Sequence, residues 1–260
     1  MSRYKLRANY DIENIDSQKM DGTVIVDVPM LSNGELNYGL SHIKKKLYEE
    51  NVYPSEIGFD IMSLATMVYM ADTRIERVVH GQDSWTREIE LEIPVSNVEI
   101  WDSQIHTVER MLKFLTGDLW KITLSSRAWQ FNNLEEVREK SNKYDEVSLF
   151  SGGMDSLIST INLMENKKNT LLISHAGEGL TKNAQKNIVN KFDLLYPDVL
   201  HTWLDLWMVF PRDYIPAGGN DNNTRSRSFL FIGYALFAMT GMDNILSLIH
   251  ISEPTRLDVI

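Results

Sequence analysis

Residues 147–156 read Val-Ser-Leu-Phe-Ser-Gly-Gly-Met-Asp-Ser, and no other stretch constrains the fold as much. A short apolar strand runs into Ser-Gly-Gly-x-Asp-Ser, and a helix follows over 157–166. Two consecutive glycines let the backbone turn sharply and bring its N–H groups close to a bound anion. The helix that follows points its unpaired N–H groups and its positive end at the same place. Such a loop suits phosphates. It is not a Walker A loop, because no Gly-Lys-Ser/Thr follows, and it lacks the G-x-G-x-x-G dinucleotide spacing. The plain alternative is an ordinary glycine-rich turn between strand and helix.

The surroundings of the loop fit a nucleotide fold. From Lys143 the pattern predicts strands over 146–150, 170–174 and 199–206, with helices over 155–166 and 181–195. Strand–helix alternation with short continuous apolar strands implies a parallel sheet covered on both faces. Ligands in such sheets bind at the carboxyl ends of the strands. Ser151, Ser174-His175-Ala176 and the segment after Leu206 fall at that edge.

Residues 1–140 are expected to form a separate α+β module. Strands are predicted over 23–28, ended by Pro29, over 87–94 and over 119–124. The spacing predicts a helix over 57–77, and Asp102 is a candidate cap for a helix that runs to Leu115 and stops at Gly117. This region shows no metal-ligand spacing and no nucleophile constellation. The polar stretch 135–140 reads as a linker helix into the next domain, 143–245.

Composition excludes several classes. The 260 residues allow one large or two small domains, and 43% hydrophobic content supports a real core. The net charge of −10 argues against a broad nucleic-acid footprint and leaves room for a local basic groove only. There is no cysteine, so disulfides, cysteine zinc sites and cysteine sulfur transfer are absent from these residues. The N-terminus shows no secretory signal. The longest apolar run, 229–239, is too short to span a bilayer and reads as a buried helix, so the cytoplasm is the default location.

The tail is read separately. Residues 246–256, Leu-Ser-Leu-Ile-His-Ile-Ser-Glu-Pro-Thr-Arg, are the peptide that a transposase sequencing adapter encodes when read in frame. Residues 246–260 are therefore expected to be an artefact that interrupts the natural chain after about Ile245. The alternative is a real strand over 246–251 followed by a proline turn.

Other residues could carry chemistry. A polar loop over 211–228 contains Gly218-Gly219 and ends in Thr224-Arg225-Ser226-Arg227-Ser228. Arg225 and Arg227 at a helix entrance can pair with phosphates or a carboxylate; otherwise the loop is solvated, with serine caps. His175 is either a ligand group or a structural histidine. Asp205 and Asp213 are candidate magnesium ligands. Trp101, Trp120, Trp129, Trp203 and Trp207 are expected to pack rather than stack on bases.

Ser151-Gly152-Gly153-Met154-Asp155-Ser156 resembles the PP-loop of the ATP pyrophosphatase superfamily. That resemblance implies an adenine nucleotide alpha hydrolase-like, Rossmann-like domain that splits ATP into AMP and pyrophosphate. It covers residues 145–245. The order of PP-loop, histidine-containing strand end and Arg-Ser-Phe-Leu-Phe helix is similar to the 7-cyano-7-deazaguanine synthase (QueC) branch. With the N-terminal extension, the chain is most similar to QatC-type proteins of the Qat anti-phage system, which implies an ATPase and a TatD-like nuclease as partner proteins. The implied activity is an ATP-dependent C–N ligase that adenylates a deazaguanine-type carboxylate. The alternatives are 7-cyano-7-deazaguanine synthase proper in queuosine biosynthesis, a non-catalytic nucleotide-binding subunit of a defence complex, and a tRNA-modifying enzyme. By resemblance, Ser151, Gly152, Gly153, Met154, Asp155, Ser156, Ser174 and His175 hold ATP, and Asp155 binds Mg²⁺. Arg225 and Arg227 offset the charge of departing pyrophosphate. Two features depart from QueC. Its four-cysteine zinc site is absent and would lie beyond residue 245, and its aromatic-Gly-Gln segment is Ser174-His175-Ala176-Gly177-Glu178-Gly179 here.

Overall fold

The computed structural model describes residues 3–134, 143–175, 179–222, 225–242 and 248–249. In chain order the first elements are β1 (Arg3–Asn9), β2 (Asp16–Met20), β3 (Thr23–Pro29), β4 (Leu31–Ser32) and β5 (Glu35–Leu36). Then come α1 (Leu40–Glu49), α2 (Glu56–Arg74), α3 (Arg77–His80), β6 (Glu88–Val95), α4 (Val98–Asp102), α5 (Ile105–Thr116) and β7 (Leu119–Ser126). A single 3₁₀ turn, Phe131–Leu134, precedes β8 (Glu146–Leu149), α6 (Met154–Glu165), β9 (Thr170–His175), α7 (Gly179–Leu195), β10 (His201–Leu206), α8 (Arg227–Met239) and β11 (Leu248–Ile249). The candidate linker 135–140 lies outside the described residues, as does the tail apart from β11.

Contacts divide the chain into two units that are not consecutive in sequence. The first comprises Met1–Ser41, Ser55–Val137 and Val209–Gly233; the second comprises His42–Pro54, Arg138–Met208 and Tyr234–Ile260. Sequence order alone assigns 209–233 to the domain that starts at residue 143; the contacts assign it to the first unit.

The first unit holds a five-stranded sheet in the order β2-β3-β1-β6-β7. Every pairing in it is parallel except the β2–β3 hairpin. The expected α+β module is therefore an α/β unit with a mostly parallel sheet. Its strands alternate between buried and half-exposed residues, a pattern more usual in antiparallel sheets. In β6, Ile89, Leu91 and Ile93 are buried while Glu88, Glu90 and Glu92 are only partly so. The polar face is closed by ion pairs instead: Arg3 to Glu88, Lys5 to Glu92 and Arg7 to Asp27. Helix α2 is buried along most of its length and starts at Ser55, whose Oγ accepts the Gly58 N–H. It stops at Arg74 rather than running to residue 77. Asp102 does not cap a helix. It ends α4, which Asn97 caps, and α5 starts after Gln104. Gly117 does end α5, with φ of 77°.

The second unit carries a four-stranded sheet in the order β10-β9-β8-β11, with every pairing parallel. Each residue of β9 is buried, as expected of a strand covered on both faces. Phe150, Leu172 and Phe192 form its core, and Leu157, Ile161, Ile188 and Val189 pack against them. Helices α6 and α7 therefore cover one face. In α1, Ile43 and Leu47 are fully buried. Glu50, just beyond α1, accepts hydrogen bonds from Lys143 and Tyr144 and so ties α1 to the start of β8.

Candidate functional site

The loop that follows β8 is built from the backbone outward. Phe150 extends the ladder by one residue, its N–H bonding to the Ile173 carbonyl at 2.7 Å. The chain then turns at Gly152, whose φ is +82°. Helix α6 begins at Met154, with Gly153 in the capping position and no side-chain cap. The first-turn N–H groups of α6 therefore receive no capping bond from a Gly153 side chain, which is the arrangement that favours an anion. The loop is braced from inside. The Ser151 Oγ accepts the Gly153 N–H at 3.3 Å and lies 3.1 Å from the Ser156 Oγ. The Ser156 hydroxyl donates to the Gly153 carbonyl at 2.9 Å.

Exposure divides these residues. Ser151, Gly153, Met154 and Asp155 are exposed, whereas Ser156 is buried. Asp155 sits in the first turn of α6, where the helix dipole favours a carboxylate with or without a ligand.

The register brings the ends of β9 and β10 alongside, since Ser174 pairs with Asp205 and His175 with Leu206. The side chains of Ser174 and His175 are nevertheless committed inward. The Ser174 Oγ accepts the Trp203 indole N–H at 2.7 Å and is fully buried. His175 is 4% exposed, with its ring 5.9 Å from that of Tyr234. Ala176, Gly177 and Glu178 lie outside the described residues. Asp205 forms an ion pair with Lys182 on the first turn of α7.

The arginine loop belongs to the first unit. The Arg225 guanidinium donates to the Thr116 carbonyl at 2.9 Å and lies 4.3 Å from the Trp85 ring centroid. Ser226 donates to Asp72 through both N–H and hydroxyl. Arg227 is exposed and sits 5.7 Å from the Phe231 ring centroid. The rest of the loop is stitched down in the same way. Arg74 donates to the carbonyls of Phe210 and Pro211, Tyr4 donates to that of Ala217, and the Gly218 carbonyl accepts the Glu76 N–H. Asp213 accepts the Asn220 amide at 2.7 Å. Much of the polar chemistry that sequence offered for ligands is thus spent on holding this loop in place. Asn223 and Thr224 lie outside the described residues.

A residue beside the glycine loop, and a lysine one turn earlier on the same helix, escaped the sequence reading. Gln185 is fully buried on α7, and its Nε2 donates to the carbonyls of Ser151 at 3.0 Å and Phe150 at 3.3 Å. Lys182 lies one turn earlier on the same helix. The signal was present: Gln185 stands on the apolar stripe of Ile188, Val189 and Phe192 at helical spacing. A polar residue on such a stripe breaks the local pattern, as residues at working sites do. Among the described residues, no cluster of three or more His, Cys, Asp or Glu could hold a metal ion. No helix there is long and apolar enough to cross a membrane.

The class defined by these features is a mixed α/β protein with mostly parallel sheets, compatible with a Rossmann-like fold, and with a glycine loop at a strand–helix junction. In comparisons with known proteins, no family model, no curated protein and no solved structure matches the chain.

Proposed function

We propose that the chain is an ATP-dependent, adenylate-forming ligase of the PP-loop type, acting on a carboxylate and releasing pyrophosphate. The observation that carries this reading is the exposed Ser151–Asp155 loop, which joins a parallel strand to α6 with no side-chain cap on the helix. Loop N–H groups and the Ser151 hydroxyl hold the β- and γ-phosphates. The chemistry is then mainly positioning and electrostatics. A substrate carboxylate attacks the α-phosphorus, and the bond to the bridging oxygen breaks so that pyrophosphate leaves. An amine displaces AMP from the acyl-adenylate, giving an amide and a proton. Asp155 fits a magnesium ligand, being an exposed acceptor-only group at the loop rim; Mg²⁺ is commonly held by one or two carboxylates together with substrate phosphates and water. When bound, the ion supplies positive charge against the phosphates.

The deazaguanine-type acid, the defence setting and partner proteins are proposals that rest on the resemblance of residues 145–245. Incubation of the full chain with ATP, Mg²⁺, 7-carboxy-7-deazaguanine and an ammonium salt as the amine source, with nucleotides resolved by chromatography, tests the reading. AMP and pyrophosphate are expected, and Asp155→Ala should reduce AMP formation at least about a hundredfold. ATP binding without AMP would point instead to a nucleotide-binding subunit. Full activity in Asp155→Ala would remove its role.

A further inference from the structure

We propose that Gln185 is the positioning residue of the glycine loop: it aims the N–H groups of Ser151 and Gly152 into the mouth where the anion binds. The link to ATP rests on the function proposed above. In a planar trans peptide the C=O and N–H point in opposite directions. Gln185 draws the Phe150 and Ser151 carbonyls toward α7, with Nε2 at 3.3 Å and 3.0 Å. The N–H groups of the same two peptide units, those of Ser151 and Gly152, therefore face away from α7. The donor assignment is forced, because two carbonyls can be bridged only by the NH₂ end of the amide.

Contact supports the hydrogen bonds. A Cβ on Gly152 would stand 2.9 Å from the Gln185 Cγ, so the turn rests directly on this side chain. The Oε1 is buried without a hydrogen-bond partner among the described residues. An amide kept only for core packing would have both ends satisfied. Among the described residues its hydrogen bonds go to the loop carbonyls, at a position where the stripe calls for an apolar residue. Gln185 touches no ligand in this role and acts through the backbone of residues 150–152.

The test uses the ¹⁵N-labelled full chain with Gln185→Met, which keeps length without a donor, and Gln185→Glu, which places a carboxylate against the two carbonyls. Leu163→Val, buried near the C-terminal end of α6 and so far from the loop, serves as the control. Without ligand, the amide resonances of Ser151 and Gly152 should move in both Gln185 variants and stay in place in the control. Inorganic pyrophosphate and ATP should bind at least about tenfold more weakly to both variants, while Leu163→Val loses thermal stability at unchanged affinity. Wild-type affinity in Gln185→Met overturns the proposal, as do unmoved loop resonances. If the unaltered protein binds neither ligand, the proposed function falls, and the ligand-free resonances alone decide whether Gln185 sets the loop. If one variant fails to fold, the other carries the comparison. If both fail while Leu163→Val folds, Gln185 is a core-stability residue and the proposal is overturned.

Discussion

Arg225 shows how a residue's partners decide its meaning. In sequence it is a cation at a helix entrance, legible as a phosphate ligand. Its partners are the Thr116 carbonyl, 109 positions away, and the Trp85 ring. Nothing in a local window could announce them, because they come from strand order rather than spacing. A charged hydrogen bond contributes ~1.5 kcal/mol or more, and a partly exposed cation–π contact adds about 0.5–1 kcal/mol. Arg225→Ala should therefore lower unfolding free energy by about 1–2 kcal/mol in urea titration and leave ATP affinity unchanged. The opposite pattern, intact stability with lost AMP formation, would restore the catalytic role that the resemblance implies.

Among the elements, the glycine loop was the most legible part of the chain, because strand, turn and helix each carry a local signature. Its two glycines do different work. Gly152 has φ of +82° and rests on Gln185, so an added methyl meets both backbone strain and a side chain. Gly153 has φ of −83°, and a Cβ there would meet only the Ser151 Oγ, at 3.5 Å. Gly152→Ala should cost about 1–3 kcal/mol of stability. Gly153→Ala should stay within about 0.5 kcal/mol. Equal losses in paired denaturation curves would contradict this division. Strand β1 was the least legible element. Its outward residues Arg3, Lys5 and Arg7 make the segment look like a polar terminus, while inward Tyr4 and Leu6 are buried at the centre of the sheet. The β2–β3 hairpin carries a local signature as well. Its turn is Asp21-Gly22, with φ of 49° and 79°, the pair that two-residue hairpins favour.

At the scale of the whole molecule, an acidic chain with buried cations should respond sharply to acid. In the first unit, Arg87 is 1% exposed and donates to Asp72 and Asp118, and Arg77 also reaches both aspartates. Burial pushes the Asp118 carboxyl up, but hydrogen bonds from Arg87 and Arg77 outweigh it and hold the group below its ordinary value. In the second unit, burial likewise raises Glu50, and bonds from Lys143 and Tyr144 carry it below the ordinary range. A carboxyl whose folded pKa is depressed contributes stability that is fully present above its unfolded pKa and lost as pH falls through the folded one. Both units should therefore keep their stability from neutrality down to about pH 5, and lose it progressively below about pH 4. Asp118→Asn separates this anchor from the general carboxylate background. It leaves Arg87 and Arg77 short of a buried counter-charge, a cost of about 3–5 kcal/mol at pH 7. It also removes one group from the acid limb, so the stability–pH curve of the variant should be lower at neutrality and flatter below pH 4. Urea titrations from pH 7 to pH 3 would measure both. If the variant is lower but equally steep, the acid response belongs to the remaining carboxylates, and the Arg77–Arg87–Asp118 network is a neutral-pH anchor only.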